Sequence, residues 1–119
     1  SEVFDRGFVS YSNAAEIRMH GVDAALIETH GAVSEAVAVA MADGAISFTD
    51  ARLAAAVTGV AGPGGGSVDK PVGMVCFGFA WRGSPTVAET LHFAGDRQAV
   101  RRQSVLHALD RMIAMTGRT

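Results

Sequence analysis

Apolar and polar residues alternate in blocks along this chain, and the blocks predict secondary structure. Val3 to Ser10 carries Val3, Phe4, Phe8 and Val9 and predicts a strand, with Gly7 marking a close backbone approach. Ser12 or Asn13 can cap a helix through residues 14–19, which Gly21 ends. A short helix around Asp23 to Thr29 follows. Ser34 caps a stronger helix from Glu35 to about Ile46, and its Ala and Val content predicts burial on nearly every face. Leu53 to Val57 is a continuous apolar run, too short for a typical helix, and reads as an interior strand.

A glycine-rich segment then breaks the pattern. Ala61-Gly62-Pro63-Gly64-Gly65-Gly66-Ser67 can only be a loop. Val72 to Trp81 predicts a second long strand. Arg82-Gly83-Ser84-Pro85 is a turn, so Thr86 to Phe93 returns antiparallel. Asp96 caps a last helix through about Met115, with Val105, Leu109, Met112 and Ile113 as its expected apolar face and arginines opposite. Helices and strands alternate, then comes a hairpin, then a helix. The pattern predicts an α/β layered fold with a mixed sheet, in one domain over residues 1–119.

Composition narrows the function classes. Hydrophobic residues are 49% and charged residues 18%, which suits one packed core and argues against disorder. A net charge of −2 and few aromatics give little support to a nucleic-acid factor or an anionic membrane partner. Arg97, Arg101 and Arg102 form the one local basic cluster, better suited to a single phosphate than to a polymer. The single cysteine, Cys76, permits no intrachain disulfide and sits in an apolar run as a buried core thiol. No run of about 18 apolar residues exists, and Ser1 to Arg6 is not a signal peptide, so a cytoplasmic location is expected.

Several residues carry candidate chemistry. In the segment Ala56 to Ser67, an apolar strand runs into a loop whose N–H groups can converge on an anion, because its glycines lack Cβ atoms. Thr58 and Ser67 add hydroxyls and Lys70 adds charge. This reads equally as a phosphate cradle or as a plain connection; it is neither a Walker loop nor a dinucleotide fingerprint. Tyr11, the only tyrosine, follows a strand end, where α/β sites usually lie, or simply packs there. His20 and His30 lack a second ligand at metal spacing, and His30 is expected to bond backbone near a helix start. His92 and His107 read as ordinary surface or interface residues. Arg97 and Arg101, at i and i+4, form a solvated face or a phosphate contact.

In order along the chain, Phe4-Asp5-Arg6-Gly7-Phe8-Val9-Ser10-Tyr11-Ser12-Asn13, His30-Gly31-Ala32-Val33-Ser34-Glu35, Ala56-Val57-Thr58-Gly59 with Gly64-Gly65-Gly66-Ser67 and Lys70-Pro71-Val72-Gly73, and Gly95-Asp96-Arg97 with Val100-Arg101 and Ala108-Leu109 resemble the signatures of the CinA C-terminal domain family. The resemblance implies an α/β/α sandwich and hydrolysis of nicotinamide mononucleotide to nicotinic acid mononucleotide and ammonia, without metal or other cofactor. It implies a serine nucleophile, placed at Ser1 by position, and a tyrosine at Tyr11. It also implies nucleotide contacts at Thr58, Gly59, Gly62, Gly64, Gly65, Gly66, Ser67 and Arg97. The expected partners are a small pyridine nucleotide and further copies in a homo-oligomer.

Two departures stand out. The family pattern Tyr-Ser-Asn-x-Ala-Lys runs here as Tyr11-Ser12-Asn13-Ala14-Ala15-Glu16, so a carboxylate takes the lysine's place. Glu16 opposes a Tyr11 phenolate, yet could serve as a base if its pKa were raised. The family's earlier Glu-Ser-Cys-Thr-Gly-Gly segment and first helix do not precede Ser1. The expectation is therefore a domain missing its first helical segment, whose exposed apolar surface another chain or a second copy covers.

Overall fold

The structure is a computed structural model of the chain, and it describes residues 2–4, 7–9, 23–47, 50–60, 62, 64 and 66–116. Two short strands open the described part, β1 (Glu2–Phe4) and β2 (Gly7–Val9), paired antiparallel with Glu2 opposite Val9 and Phe4 opposite Gly7. One strand over Val3 to Ser10 was expected. The polar pair Asp5-Arg6 interrupts the apolar run in the sequence. The expected helix over residues 14–19 lies outside the described residues.

Helix α1 spans Ala24–His30 and α2 spans Glu35–Ser47. The Asp23 carboxylate caps α1 by accepting the Ala25 N–H at 2.9 Å. Gly31, at φ 81°, ends it and returns its N–H to the Ile27 carbonyl at 2.7 Å. Ser34 starts α2. Its hydroxyl oxygen accepts the Val37 N–H at 3.2 Å while its proton goes to the Gly31 carbonyl at 2.8 Å. The sequence suggests a helix buried all round. In the fold Val37, Ala38, Met41, Ala42 and Ala45 form one buried stripe, whereas Glu35 and Asp43 are exposed.

The central sheet has the order β3-β4-β5: β3 (Leu53–Gly59), β4 (Met74–Trp81) and β5 (Val87–His92). Ala55 faces Phe79, Val57 faces Phe77, and Phe77 in turn faces Glu89. Every ladder among the described residues is antiparallel, so the parallel pairing of a mixed sheet is not among them. β2 lies beside β3 and α2.

Alternation along the strands gives the two faces their partners. Leu53, Ala55, Val57, Val75, Phe77 and Phe79 pack on one face against α3 (Arg97–Thr116). Ala56, Ala80 and Cys76 lie on the other face with α2. The result is the expected helix–sheet–helix layering. α2 sits very close to β4: a Cβ added at Gly78 would lie 2.4 Å from the Ala38 carbonyl oxygen. At the far end, the Arg82 guanidinium donates to the carbonyls of Ile46 at 2.6 Å and Ala51 at 2.8 Å, which closes the C-terminal end of α2.

Asp96 caps α3, accepting the Ala99 N–H at 2.9 Å. The buried face of α3 is only partly the one its large apolar residues suggest, with Met112 buried as expected. Val100, Ser104, Ala108 and Met112 are buried, Val105 and Leu109 only partly so, and Ile113 is exposed. Ser104 and Ala108 leave room for the Phe77 and Phe79 rings, which fill much of the interface. Ser104 satisfies its own hydroxyl by donating to the Val100 carbonyl at 2.7 Å. Among the described residues no helix is long and apolar enough to cross a membrane.

Candidate functional site

The C-terminal end of β3 is fixed to the entrance of α2. Thr58 is 1% exposed, and its hydroxyl donates to the Ala32 carbonyl at 2.8 Å. Its proton is committed to the backbone, so Thr58 positions the strand end and does not present a donor hydrogen to a ligand. Gly59 follows in a tight spot, where a Cβ would come within 2.9 Å of the Val75 side chain.

From here the glycine segment leaves and returns as a closed loop. The Val60 N–H donates to the Met74 carbonyl at 2.9 Å and the Gly73 N–H to the Val60 carbonyl at 2.6 Å, which seals the base. A smaller turn sits within the loop: the Ser67 N–H donates to the Lys70 carbonyl at 2.9 Å, and the Lys70 N–H to the Ser67 hydroxyl at 3.1 Å. The glycines have different jobs. Gly62 is buried at φ 85°, with Val72 where its Cβ would be, 2.8 Å away. Gly66 would meet the Val72 backbone nitrogen at 2.9 Å. Both let the loop fold onto Val72. Gly64 is exposed, and a Cβ there would meet nothing within 4 Å. The loop is therefore a shaped element, and Gly64 is its open point.

Two cations hold the loop from either side. The Lys70 ammonium donates to the His30 carbonyl, directly over Gly31, whose missing side chain leaves the room. Arg97, the first residue of α3, donates to the Gly62 carbonyl at 3.2 Å. Three elements thus converge: the end of β3 and the N-terminal ends of α2 and α3. Helix N-termini favour anions. At α2 this field is already taken up, because Glu35 stands in its first turn and accepts the Thr90 hydroxyl at 2.6 Å. At α3 the Asp96 carboxylate likewise accepts a first-turn N–H, from Ala99, so the feature there that favours a phosphate is the Arg97 guanidinium rather than the helix end itself.

Thr58, Gly59, Gly62, Gly64, Gly66, Ser67 and Arg97 are thus brought to one end of the sheet. Ser1, Tyr11, Glu16 and Gly65 lie outside the described residues. A family model described as the CinA C-terminal domain matches residues 1–116. The chain belongs to the CinA C-terminal domain family. It is 49% identical over 117 residues to a putative competence-damage inducible protein of Symbiobacterium thermophilum, covering 92% of this chain and 28% of that protein. It is 49% identical over 106 residues to the nicotinamide-nucleotide amidohydrolase PncC of Escherichia coli strain K12, covering 89% of this chain and 64% of that one. Among solved structures, the competence/damage inducible protein CihA from Agrobacterium tumefaciens superposes with a TM-score of 0.84 at 41% identity, over 93% of this chain and 68% of that chain. A CinA superfamily protein from Escherichia coli does so at 0.79 and 36%, over 87% and 60%. The chain therefore spans only part of the relatives it matches.

In this CinA domain a short polar chain runs under α2. Thr90 gives its one proton to Glu35, so the Cys76 thiol, 3.6 Å away, must donate to Thr90. Cys76 is fully buried, as its sequence context suggests, and burial raises its pKa above the ordinary 9.0, with the Glu35 carboxylate adding to the rise. A thiol whose folded pKa is raised contributes stability that is fully present below the ordinary 9.0 and is lost as pH climbs from there through the raised folded value. Native Cys76 is expected to resist dithionitrobenzoate at pH 8, and the urea midpoint is expected to fall between pH 8.5 and 10. Rapid labelling of the folded chain would contradict both.

Of the histidines, His92 is exposed as expected and His20 lies outside the described residues. His30 ends α1 rather than standing at a helix start, and the backbone contact is made by its carbonyl. Of the surface and interface readings, His107 takes the second, within the fold, between α3 and the sheet. It pairs with Glu89, sits 4.7 Å from the Phe77 ring centroid, and shares Glu89 with Arg111 on the α3 face. No sequence pattern signals it, since positions 89 and 107 meet only when α3 crosses β5. Among the described residues no group of three His, Cys, Asp or Glu could hold a metal. A surface depression of about 270 Å³ among Arg52, Trp81 and Arg82 lies at the opposite end of the sheet and holds none of the predicted site residues.

Proposed function

We propose that this domain binds nicotinamide mononucleotide at the glycine loop and takes part in its hydrolysis to nicotinic acid mononucleotide and ammonia. The observation that carries the reading is the closed loop with its open point at Gly64 and with the Arg97 guanidinium bonded to its Gly62 carbonyl. Relatives at 48–49% identity bear the name nicotinamide-nucleotide amidohydrolase, which supports the substrate. In the reaction a nucleophile adds to the carboxamide carbon, the C–N bond breaks, ammonia leaves with a transferred proton, and water completes the hydrolysis. By resemblance Ser1 and Tyr11 serve here, and Glu16 occupies the family lysine's position. Backbone N–H groups of the loop suit the developing oxyanion or the phosphate.

A second reading rests on Glu16. Without a lysine to favour a Tyr11 phenolate, the domain binds the nucleotide and does not turn it over. Ammonia release from nicotinamide mononucleotide, with Glu16→Lys alongside, separates the two. Restoring a proton-transfer group is expected to raise the rate by about 10²-fold or more. Silence of both proteins, with calorimetric binding retained, leaves the non-catalytic reading. Absence of binding as well ends both.

Gly64→Ala tests the loop itself. Its added methyl meets no atom within 4 Å and its φ is not left-handed, so stability is expected to change by under about 0.5 kcal/mol. Affinity for the nucleotide is expected to fall about tenfold, since the methyl occupies the ligand's approach. Unchanged affinity would place the ligand elsewhere.

A further inference from the structure

The start of β3 and the end of β4 form the end of the sheet remote from the glycine loop. Leu53 lies opposite Trp81 there. One step outward, the Arg82 N–H donates to the Arg52 carbonyl at 2.7 Å. At these strand ends lies the depression of about 270 Å³, lined among the described residues by Arg52, Trp81 and Arg82. The length of β3 separates it from Gly59, about 20 Å at the rise of a strand.

Each lining residue brings a different property. Trp81 is half-buried and packs against the cluster of Leu53 and Phe79, so its indole is held in place. The Arg82 guanidinium is fixed by the Ala51 and Ile46 carbonyls, which hold it without cancelling its charge. Arg52 is exposed, and its guanidinium has no hydrogen bond or ion pair among the described residues. Asp50, the acidic residue nearest in sequence, does not line the depression.

We propose that this depression is a second binding site, for a small planar organic anion of the aromatic carboxylate class. Two guanidiniums repel cations and offer a carboxylate paired donors. An indole face attracts a flat ring, which a compact tetrahedral anion cannot supply. The volume falls just under the usual range of ligand pockets, about 300–1,000 Å³, so it suits one ring with its carboxylate rather than a larger ligand. This site stands independently of the nucleotide reading.

Trp81 is the chain's single tryptophan, so its fluorescence reports on the site directly. Benzoate titrated at constant ionic strength is expected to change that fluorescence saturably, with a dissociation constant on the order of 1 mM. Benzamide keeps the ring and lacks the charge; inorganic phosphate keeps the charge and lacks the ring. Each is expected to bind at least about tenfold more weakly than benzoate. Arg52→Glu is expected to raise the benzoate dissociation constant at least about tenfold. Circular dichroism should show its fold unchanged, because the side chain is exposed. No saturable change up to about 50 mM benzoate overturns the site. Phosphate or benzamide binding as tightly as benzoate overturns the planar anion as its ligand. Benzoate affinity unchanged in Arg52→Glu places the ligand elsewhere and overturns the assignment to this depression.

Discussion

Gly78→Ala is expected to cost about 3 kcal/mol of stability, the upper end for forcing one carbon into a packed core. The reason is a backbone contact rather than a side-chain one. The new Cβ would stand 2.4 Å from the Ala38 carbonyl oxygen, 2.6 Å from its carbon and 2.9 Å from the Val39 nitrogen. A flexible side chain could swing aside; the second turn of α2 cannot. The helix must lift off β4 as a body, and two contacts lift with it. One is the Thr58 hydrogen bond to Ala32; the other is the Thr90 hydrogen bond to Glu35. Urea unfolding should show the midpoint falling by about 2 M at a slope near 1.5 kcal/mol/M. Nucleotide affinity should fall with it, because Lys70 anchors the glycine loop to His30 at the entrance of the same helix. A change below about 0.5 kcal/mol would mean that α2 does not pack on β4 as described.

That coupling shows what the sequence could reveal and what it could not. Helix starts were legible where a single side chain makes them: Asp23, Ser34 and Asp96 all accept the N–H their positions require. The positions of β3, β4 and β5 were legible to within two residues, whereas the one strand expected over Val3 to Ser10 is two. The start of β4 shifted from Val72 to Met74 because Gly73, at φ 96°, packs on the Phe93 carbonyl, a contact 20 residues away that pattern cannot register. The face of α3 was misjudged because apolar size was weighed without knowing that Phe77 and Phe79 lie opposite and demand Ser104 and Ala108.

The site divides in the same way. The glycine loop was visible because only Gly supplies the backbone freedom that such a loop needs. What holds the loop was not visible, because those bonds span 26 residues from Thr58 to Ala32, 40 from Lys70 to His30 and 35 from Arg97 to Gly62. Thr58 changed role for that reason. Read locally, its hydroxyl looked available to a phosphate; in the fold it is already spent on backbone.

Phe77→Ala supplies the complementary result. The ring is 0% exposed and sits between Phe79, stacked at 6.0 Å, Phe93, edge-on at 6.3 Å, and the His107 imidazole at 4.7 Å. Removing it leaves a cavity in the middle of the largest cluster, and the expected cost is about 3–5 kcal/mol. Phe77→Leu refills most of that volume and should cost under about 1.5 kcal/mol. The informative comparison is with Gly78, the next residue along the same strand. Phe77 points to the α3 face and Gly78 to the α2 face, and the hydrogen bonds that brace the glycine loop through Ala32 and His30 lie on the α2 side. Phe77→Ala should therefore lower the urea midpoint as far as Gly78→Ala, or further, while the molecules still folded bind nicotinamide mononucleotide with unchanged affinity. Equal loss of affinity in both variants would show that the α3 face also shapes the loop, with Arg97 as the connection, since its bond to Gly62 ties α3 to the loop.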